Sequence, residues 1–504
     1  WGHRIPVWYC RAPGCEDVEI VGREDPTTCP RCGGSALEQD PDVLDTWFSS
    51  WLWPFSTLGW PDETRDLRAF YPTSTLVSAY DILFFWVSRM IMAGLEFMGE
   101  VPFREVYITR LVRDHLGRKM SKSLGNGIDP LRVVELFGAD ALRFTLVEGT
   151  SWTADLLLNY QDLEQAFAPG RNFANKLWNA GRFALLNLEG GEVRRVDEVR
   201  AELEVADRWI LSRLNRAVID TTAALETFRF HEVAGTVYHF FWDEVADWYI
   251  ELVKSRLRGE AGEGSRAAAQ ATLVEVLDGV FRLLHPVMPF ISEALWQRLP
   301  ERPGVEREPS LVVARWPEPA QGREDAEAEA QLDALMELIG TVRALRSEYN
   351  IPVAAKVDVR IGHAPEVLRG ALAAETRAVQ RLAGVKDVYL AAGEPLAALA
   401  AVAGAAGGGA AEPARAGAGA HAVLRSGAEV FIPLAQVIDL DRERARVQTE
   451  LERVLGQLRG TESKLANEQF RTKAPAEVVA KEEEKAANLR EQHRRLARKI
   501  EELS

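Results

Sequence analysis

Long apolar runs are missing from this 504-residue chain. None reaches the roughly 18 consecutive residues that a membrane-spanning helix needs, and the longest aromatic-apolar stretch, Ile82 to Val87, is far shorter. No signal-peptide pattern opens the chain, so a cytoplasmic protein is expected. An excess of positive charge is missing as well. The formal net charge of -15 argues against binding nucleic acid by bulk charge, and a polyanion would have to find its contacts locally. Tryptophan stops early: all 14 lie between Trp1 and Trp316, which predicts large packed domains there and a thinner, more helical tail beyond. Cysteine is scarcer still, with four residues and none after Cys32. The first residue is Trp1 rather than Met, so the chain reads as the remainder of a longer polypeptide.

What is present suits a globular protein of about three or four domains. Hydrophobic residues make up 47% and charged residues 27%, with a mean hydropathy of -0.14. Residues 1–165 alternate strand and helix patterns: Val106-Tyr107-Ile108-Thr109 reads as a strand and Asp81 to Gly94 as a buried helix. Residues 166–325 read as helical, with one-sided apolar patterns around Trp209-Ile210-Leu211 and from Trp242 to Leu257. Residues 326–435 predict a small α/β module from a helix (Ala326 to Glu348), an alternating strand (Val357 to Ile361) and Glu429 to Pro433. These surround an Ala/Gly-rich stretch, Leu396 to Ala422, that reads as a linker or long loop.

The tail, 436–504, is nearly balanced in charge. Val447, Leu451, Val454, Leu458 and Leu465 keep heptad spacing with a polar gap at Thr461, and Leu489, Leu496, Ile500 and Leu503 repeat it beyond Phe470 to Pro475. That predicts an antiparallel coiled-coil hairpin, or an ordinary helical hairpin. Its turn would offer Phe470, Arg471 and Lys473, suited to touch a base and backbone phosphates or simply to face solvent.

Two constellations carry chemistry. Cys10, Cys15, Cys29 and Cys32 are spaced C-x4-C, thirteen residues, C-x2-C, with Pro30 and Gly33 around the second pair. Four thiolates at that spacing can close a tetrahedron on one zinc ion, and with every position filled by protein the role would be structural. The second is Lys119-Met120-Ser121-Lys122-Ser123, inside Arg118 to Gly125 and just after a strand. Two ammonium groups and two hydroxyls on a short loop suit a triphosphate whose leaving pyrophosphate gains charge in the transition state. Gly117, Gly125 and Gly127 would let such a loop close.

This five-residue word is the KMSKS signature of class I aminoacyl-tRNA synthetases, and the surrounding sequence resembles the valyl-tRNA synthetase family along nearly the whole chain. The resemblance rests on Trp1 to Pro6, Asp42 to Ser50 (DVLDTWFSS), Tyr71 to Ser74, Asp81 to Leu95, Trp242 to Lys254, Leu283 to Trp296 and the tail around Asn467 to Val479. It implies a Rossmann-like α/β half-domain with a zinc ribbon, a helical anticodon-binding domain, a small α/β junction module and a coiled-coil arm that binds tRNA. It implies valine, ATP with Mg²⁺ and valine tRNA as ligands, and a monomer. Lys119 and Lys122 would bind ATP phosphates and stabilise the adenylation transition state, with Met120, Ser121 and Ser123 on the same loop. Asp81 would sit near the ATP ribose; it also reads as a carboxylate at a helix N-terminus. Trp47, Ile82 and Trp86 would wall the valine pocket, where rigid rings exclude isoleucine's extra methylene for about 1–3 kcal/mol.

The chain departs from the family pattern in places. Ser78-Ala79-Tyr80-Asp81 stands where the family usually has Thr-Gly-Tyr-Asp, and Ile108-Thr109-Arg110 where it has Ile-His-Gly. Ala246 stands where Cys is frequent. Each replaced glycine adds a side chain beside the nucleotide site. No HIGH-type motif and no editing domain is recognisable, so the chain by itself is expected to be inactive. An isoleucine–tRNA ligase and a non-catalytic tRNA-binding derivative are the alternatives.

Overall fold

The computed structural model describes residues 2–16, 18–151, 154–188, 192–304, 306–391, 419–435 and 437–503, with nothing said of the side chains of Arg471 and Lys473. Packing divides the chain into two compact units, Trp1–Asn172 with Ala223–Gly235, and Phe173–Thr222 with Thr236–Ser504.

The first unit opens with a three-stranded antiparallel sheet in which β1 (Val7–Cys10) lies between β2 (Glu19–Val21) and β3 (Leu37–Gln39). Its interior is made of Cys10, Cys15 and Cys29 with Ile20 and Leu37 packed on them. Next come two parallel pairs. β4 (Thr73–Ala79) runs beside β5 (Phe103–Thr109) with Ala79 opposite Thr109, and β6 (Val112–Asp114) runs beside β7 (Leu156–Leu158). Parallel pairing requires a crossover. The crossover from β4 to β5 winds successively as a 3-10 turn (Tyr80–Ile82), a π-helical turn (Leu83–Val87) and an α-helix (Ser88–Phe97).

The expectation of a buried helix from Asp81 to Gly94 is corrected here. Val87 and Met90 enter a core with Leu76 and Phe103, but Phe84 is 78% exposed and Leu83 and Phe85 also face outward. The changing helical pitch rotates successive apolar side chains to opposite sides, so only one face finds a partner. Nearer the Lys119–Ser123 loop, Asp129 caps the helix Pro130–Phe137 by accepting from the Leu131 amide, and Pro130 presets its first turn.

The second unit is helical up to Glu348. The helix Glu263–Leu284 is buried along most of its length, and Trp209, Tyr249, Phe241, Phe281 and Trp296 are almost wholly enclosed. Asp207 and Arg256 form a buried ion pair at 2.6 Å, with the Tyr249 hydroxyl donating to the same carboxylate. After the helix Ala326–Glu348 comes a four-stranded sheet in the order β9–β8–β11–β10, made of β8 (Val357–Gly362), β9 (Val385–Leu390), β10 (Gly419–Val423) and β11 (Glu429–Pro433). Most of the predicted Ala/Gly linker lies outside the described residues, but its last four, Gly419 to Ala422, form strand β10. Small residues are required there: a Cβ on Gly419 would lie 2.2 Å from the Phe431 ring.

The tail is two antiparallel helices, Leu440–Ala466 and Ala476–Glu502, bridged by Lys464–Glu482 and Arg490–Glu462. Val447, Val454, Leu458 and Leu489 are buried as the spacing predicts. Thr461 is no gap in the packing, being 5% exposed. The predicted turn from Phe470 to Pro475 is mostly helical, since Glu468–Lys473 forms a short helix capped by Asn467. Among the described residues, no helix is long and apolar enough to cross a membrane.

Candidate functional site

Two strands of the first unit, β4 and β6, lead to the Lys119–Ser123 loop. β4 ends at Ala79, and Asp81 follows in the first turn of the crossover. β6 ends at Asp114, where a tight turn closes through the Gly117 amide donating to the Asp114 carbonyl. Gly117 takes φ +77°, a conformation that a side chain would oppose. The chain returns antiparallel, Arg113 opposite Lys119, and enters the loop. Lys119 Nζ lies 2.6 Å from Asp81 Oδ2, which holds the Asp81 carboxyl below the usual carboxylate range, chiefly through that hydrogen bond. Lys122 has no ion pair among the described residues, and Ser121 Oγ lies 3.2 Å from Ser123 Oγ. Met120 points the other way, onto the cluster of Val133, Leu158 and Phe167. Lys119, Lys122 and Ser123 are thus exposed and Ser121 half-exposed, while the methionine anchors the loop to the protein.

Four residues that the sequence reading passed over hold this arrangement. Asp114 is fully buried and accepts from the Leu116 and Arg118 amides, from Arg118 Nε and from Asn126 Nδ2. Burial alone would raise its pKa, but these donors overcome it and keep the carboxyl far below its usual range. Arg113 donates to Asp155 at 2.5 Å and to the Tyr80 hydroxyl at 2.8 Å, tying β6 to the end of β4. The available signals were slight: an Asp three residues before a glycine, and an Asn between two glycines.

Trp47, Ile82 and Trp86 are all partly exposed, and Trp86 also packs against the core of Leu76, Val87, Met90 and Phe103. Trp47 lies on the short helix Thr46–Ser50, capped by Asp45, and packs at 6.4 Å on Phe85 with Arg89 over its ring. Trp86 donates from its indole nitrogen to the Ser50 carbonyl at the end of that helix and packs on Trp53. Helix and crossover thus bring the two indoles onto neighbouring elements.

The sulfur atoms of Cys10, Cys15, Cys29 and Cys32 all lie within 4.8 Å of one another, with Cys10–Cys32 and Cys15–Cys29 at 3.7 Å. The edge of a tetrahedron with Zn–S bonds of about 2.3 Å is about 3.8 Å. Backbone N–H groups of Cys32 and Arg31 draw Cys29 down to about 6, while burial pushes Cys15 up to about 12. Four such thiols could hold a metal ion.

At the hairpin tip, Phe470 is half-buried rather than freely displayed, because Lys464 Nζ sits 4.9 Å from its ring centroid. Lys464 also pairs with Glu482 at 2.5 Å. Arg471 and Lys473 lie on the adjacent short helix.

Comparison with known proteins agrees with this organisation. Residues 1–159 match the family described as tRNA synthetases class I (I, L, M and V), residues 207–361 the anticodon-binding domain of tRNA ligase, and residues 439–504 the valyl tRNA synthetase tRNA binding arm. A chain with the first two is built as a class I aminoacyl-tRNA synthetase. Among curated proteins it is 46% identical to a valine–tRNA ligase of Carboxydothermus hydrogenoformans over 96% of this chain and 51% of that protein. It is 44% identical to the ligase of Symbiobacterium thermophilum over 99% and 53%, and 42% identical to that of Bacillus subtilis over 96% and 51%. The chain belongs to the valine–tRNA ligase family, and it spans about half the length of these relatives.

Proposed function

We propose that this chain works in a valine–tRNA ligase, which joins valine and ATP into valyl-adenylate with release of pyrophosphate and then passes the valyl group to the 3′ end of valine tRNA with release of AMP. The observation that carries this reading is a near-continuous match to valine–tRNA ligases that extends through the tRNA-binding arm, together with an exposed loop bearing Lys119, Ser121, Lys122 and Ser123.

Each site residue takes a role on that reading. Lys119 and Lys122 contact the ATP phosphates, and their charges count for more as negative charge builds on the leaving pyrophosphate. Lys119 leaves Asp81 to do so, freeing that carboxylate for the ribose hydroxyls. Mg²⁺ accompanies ATP and neutralises part of its phosphate charge. Trp47, Ile82 and Trp86 bound the valine side chain. Cys10, Cys15, Cys29 and Cys32 hold a structural zinc as a zinc ribbon, a role their mutual distances fit. We divide the chain into residues 1–165 for the second half of the catalytic domain, 166–325 for anticodon binding, 326–435 for the junction module and 436–504 for a coiled-coil arm. Phe470, Arg471 and Lys473 at the tip of that arm meet tRNA. The working protein is a cytoplasmic monomer.

The test is amino-acid-dependent ATP–pyrophosphate exchange by the protein as its native gene encodes it. Exchange driven by valine well above isoleucine supports the reading, and exchange driven equally or better by isoleucine overturns it.

A further inference from the structure

A loop that grips phosphates by two lysines needs a fixed base, and residues 119–125 contain no regular helix or strand to supply one. The base comes from one buried amide. Asn126 is fully buried; its Oδ1 accepts from the Ser121 amide at 2.9 Å, and its Nδ2 donates to the Lys119 carbonyl at 3.3 Å and to Asp114 Oδ2 at 2.9 Å. A single side chain thus holds the backbone on both sides of Met120. Asp114 in turn is rooted at the end of β6, paired through β7, and is saturated by donors from Leu116, Arg118 and Asn126. Among the described residues the outer part of the loop has longer contacts: the Leu124 amide to Ser121 Oγ at 3.2 Å, Ser121 Oγ to Ser123 Oγ at 3.2 Å, and the Gly125 amide to the Lys122 carbonyl at 3.3 Å.

We propose that Asp114 and Asn126 form a buried pin that fixes the root of the 119–123 loop, making both positioning residues for adenylation. The proposal rests on the ligase reading for its kinetic consequence and on geometry alone for the pin. With the root fixed, the backbone at Lys119 and Ser121 keeps one placement, from which the Lys119 side chain can swing off Asp81, while the segment from Lys122 to Gly125 pivots on Asn126 to meet the phosphates. Without it, the backbone around Met120 can relax and the ammonium groups lose register with the triphosphate. A misplacement on the order of 1 Å costs about 100-fold in rate. The valine pocket is built on other elements, around Trp47 and Trp86, and should not feel the change.

The test uses the protein as its native gene encodes it, with N126A and the isosteric D114N. For both, kcat of valine-dependent ATP–pyrophosphate exchange should fall about 100-fold, with the valine KM within about twofold of wild type. A kcat within about threefold of wild type overturns the proposal, as does a valine KM that rises in step with a falling melting temperature. Amide hydrogen exchange across residues 116–124 reads the pin without any activity. Protection at the Ser121 amide should drop at least about tenfold in both variants, and unchanged protection overturns the pin. If wild type shows no valine-dependent exchange while N126A still loses protection at Ser121, the ligase reading fails and the pin stands.

Discussion

Glu375 offers a prediction that needs no substrate. It lies within the helix Glu366–Leu382 at a local break, with φ -125° and ψ 26°, and its side chain is only partly open to solvent. Burial raises its pKa first, the Glu204 and Asp207 carboxylates add to the rise, and Arg256 and Arg381 oppose it, leaving the group at about 7. Arg256 cannot cancel the others because its charge is already engaged, 2.6 Å from Asp207 and 3.2 Å from Glu204. Since the folded pKa is raised above the ordinary 4.5, the folded protein holds a proton that the unfolded chain has lost anywhere between those values. Stability from this group is therefore fully present below about 4.5 and is lost as pH rises through about 7.

At about 1.4 kcal/mol per pKa unit, the rise to about 7 caps that loss at about 3 kcal/mol, and residual solvent access reduces it to about 1–3. The substitution Glu375→Gln keeps the shape and the neutral form's hydrogen bonding but removes the titration. Urea denaturation of both proteins at pH 5.5, 6.5, 7.5 and 8.5, followed by tryptophan emission, should give a gap in favour of E375Q that grows with pH and levels off above about 8. A gap that stays constant across the series, or a variant less stable at every pH, would refute the reasoning.

Three further outcomes are expected. Replacing Lys122 by Ala should lower exchange kcat by about 100- to 1000-fold with little change in melting temperature, because that side chain has no ion pair among the described residues to lose; steady-state kinetics and calorimetry together check it. Changing Cys10, which is fully buried, to Ser should abolish a stoichiometric zinc found by elemental analysis and loosen residues 7–39 in hydrogen exchange. Replacing Phe470 by Ala should weaken valine tRNA binding by about 1–3 kcal/mol when both proteins are titrated at the same salt, and equal binding would remove the tip from the RNA interface.

How much of this was legible in the sequence differed with the physics involved. The helix Ala326–Glu348 and the strand Val357–Gly362 fall where their apolar periods predict, because the helix buries one stripe and the strand buries Val357, Val359 and Ile361 while Asp358 and Arg360 stay half-exposed. The four cysteines and the Lys119–Ser123 word were legible because chemistry fixes both residue type and spacing. The crossover after β4 was misread because six apolar residues in a row carry no period; which of them turn inward depends on the pitch, and the pitch depends on what lies beneath. Asp114 and Asn126 escaped notice for a related reason. A polar residue in a turn is usually solvated, and only the three-dimensional closure of the turn reveals these two as buried and saturated with partners.

The arm shows the same division between pattern and place. Its heptads account for Val447, Val454, Leu458 and Leu489, yet its attachment to the rest of the second unit is polar and could not be read from periodicity. Lys499 is 5% exposed, pairs with Glu443 at 3.2 Å, donates to the Glu348 carbonyl and lies 4.3 Å from the Tyr349 ring centroid, while the Tyr349 hydroxyl donates to Glu502. Burial lowers the Lys499 pKa, and the hydrogen bond and charge of Glu443 oppose that shift. A buried pair is a poor source of stability but a strict source of geometry: it can be satisfied in few arrangements, whereas an apolar contact tolerates sliding. The root of the arm is thus tied to the end of the helix Ala326–Glu348 by polar contacts from Lys499, Glu502 and Arg495, while at its tip Lys464 rests on Phe470 and pairs with Glu482 at the surface.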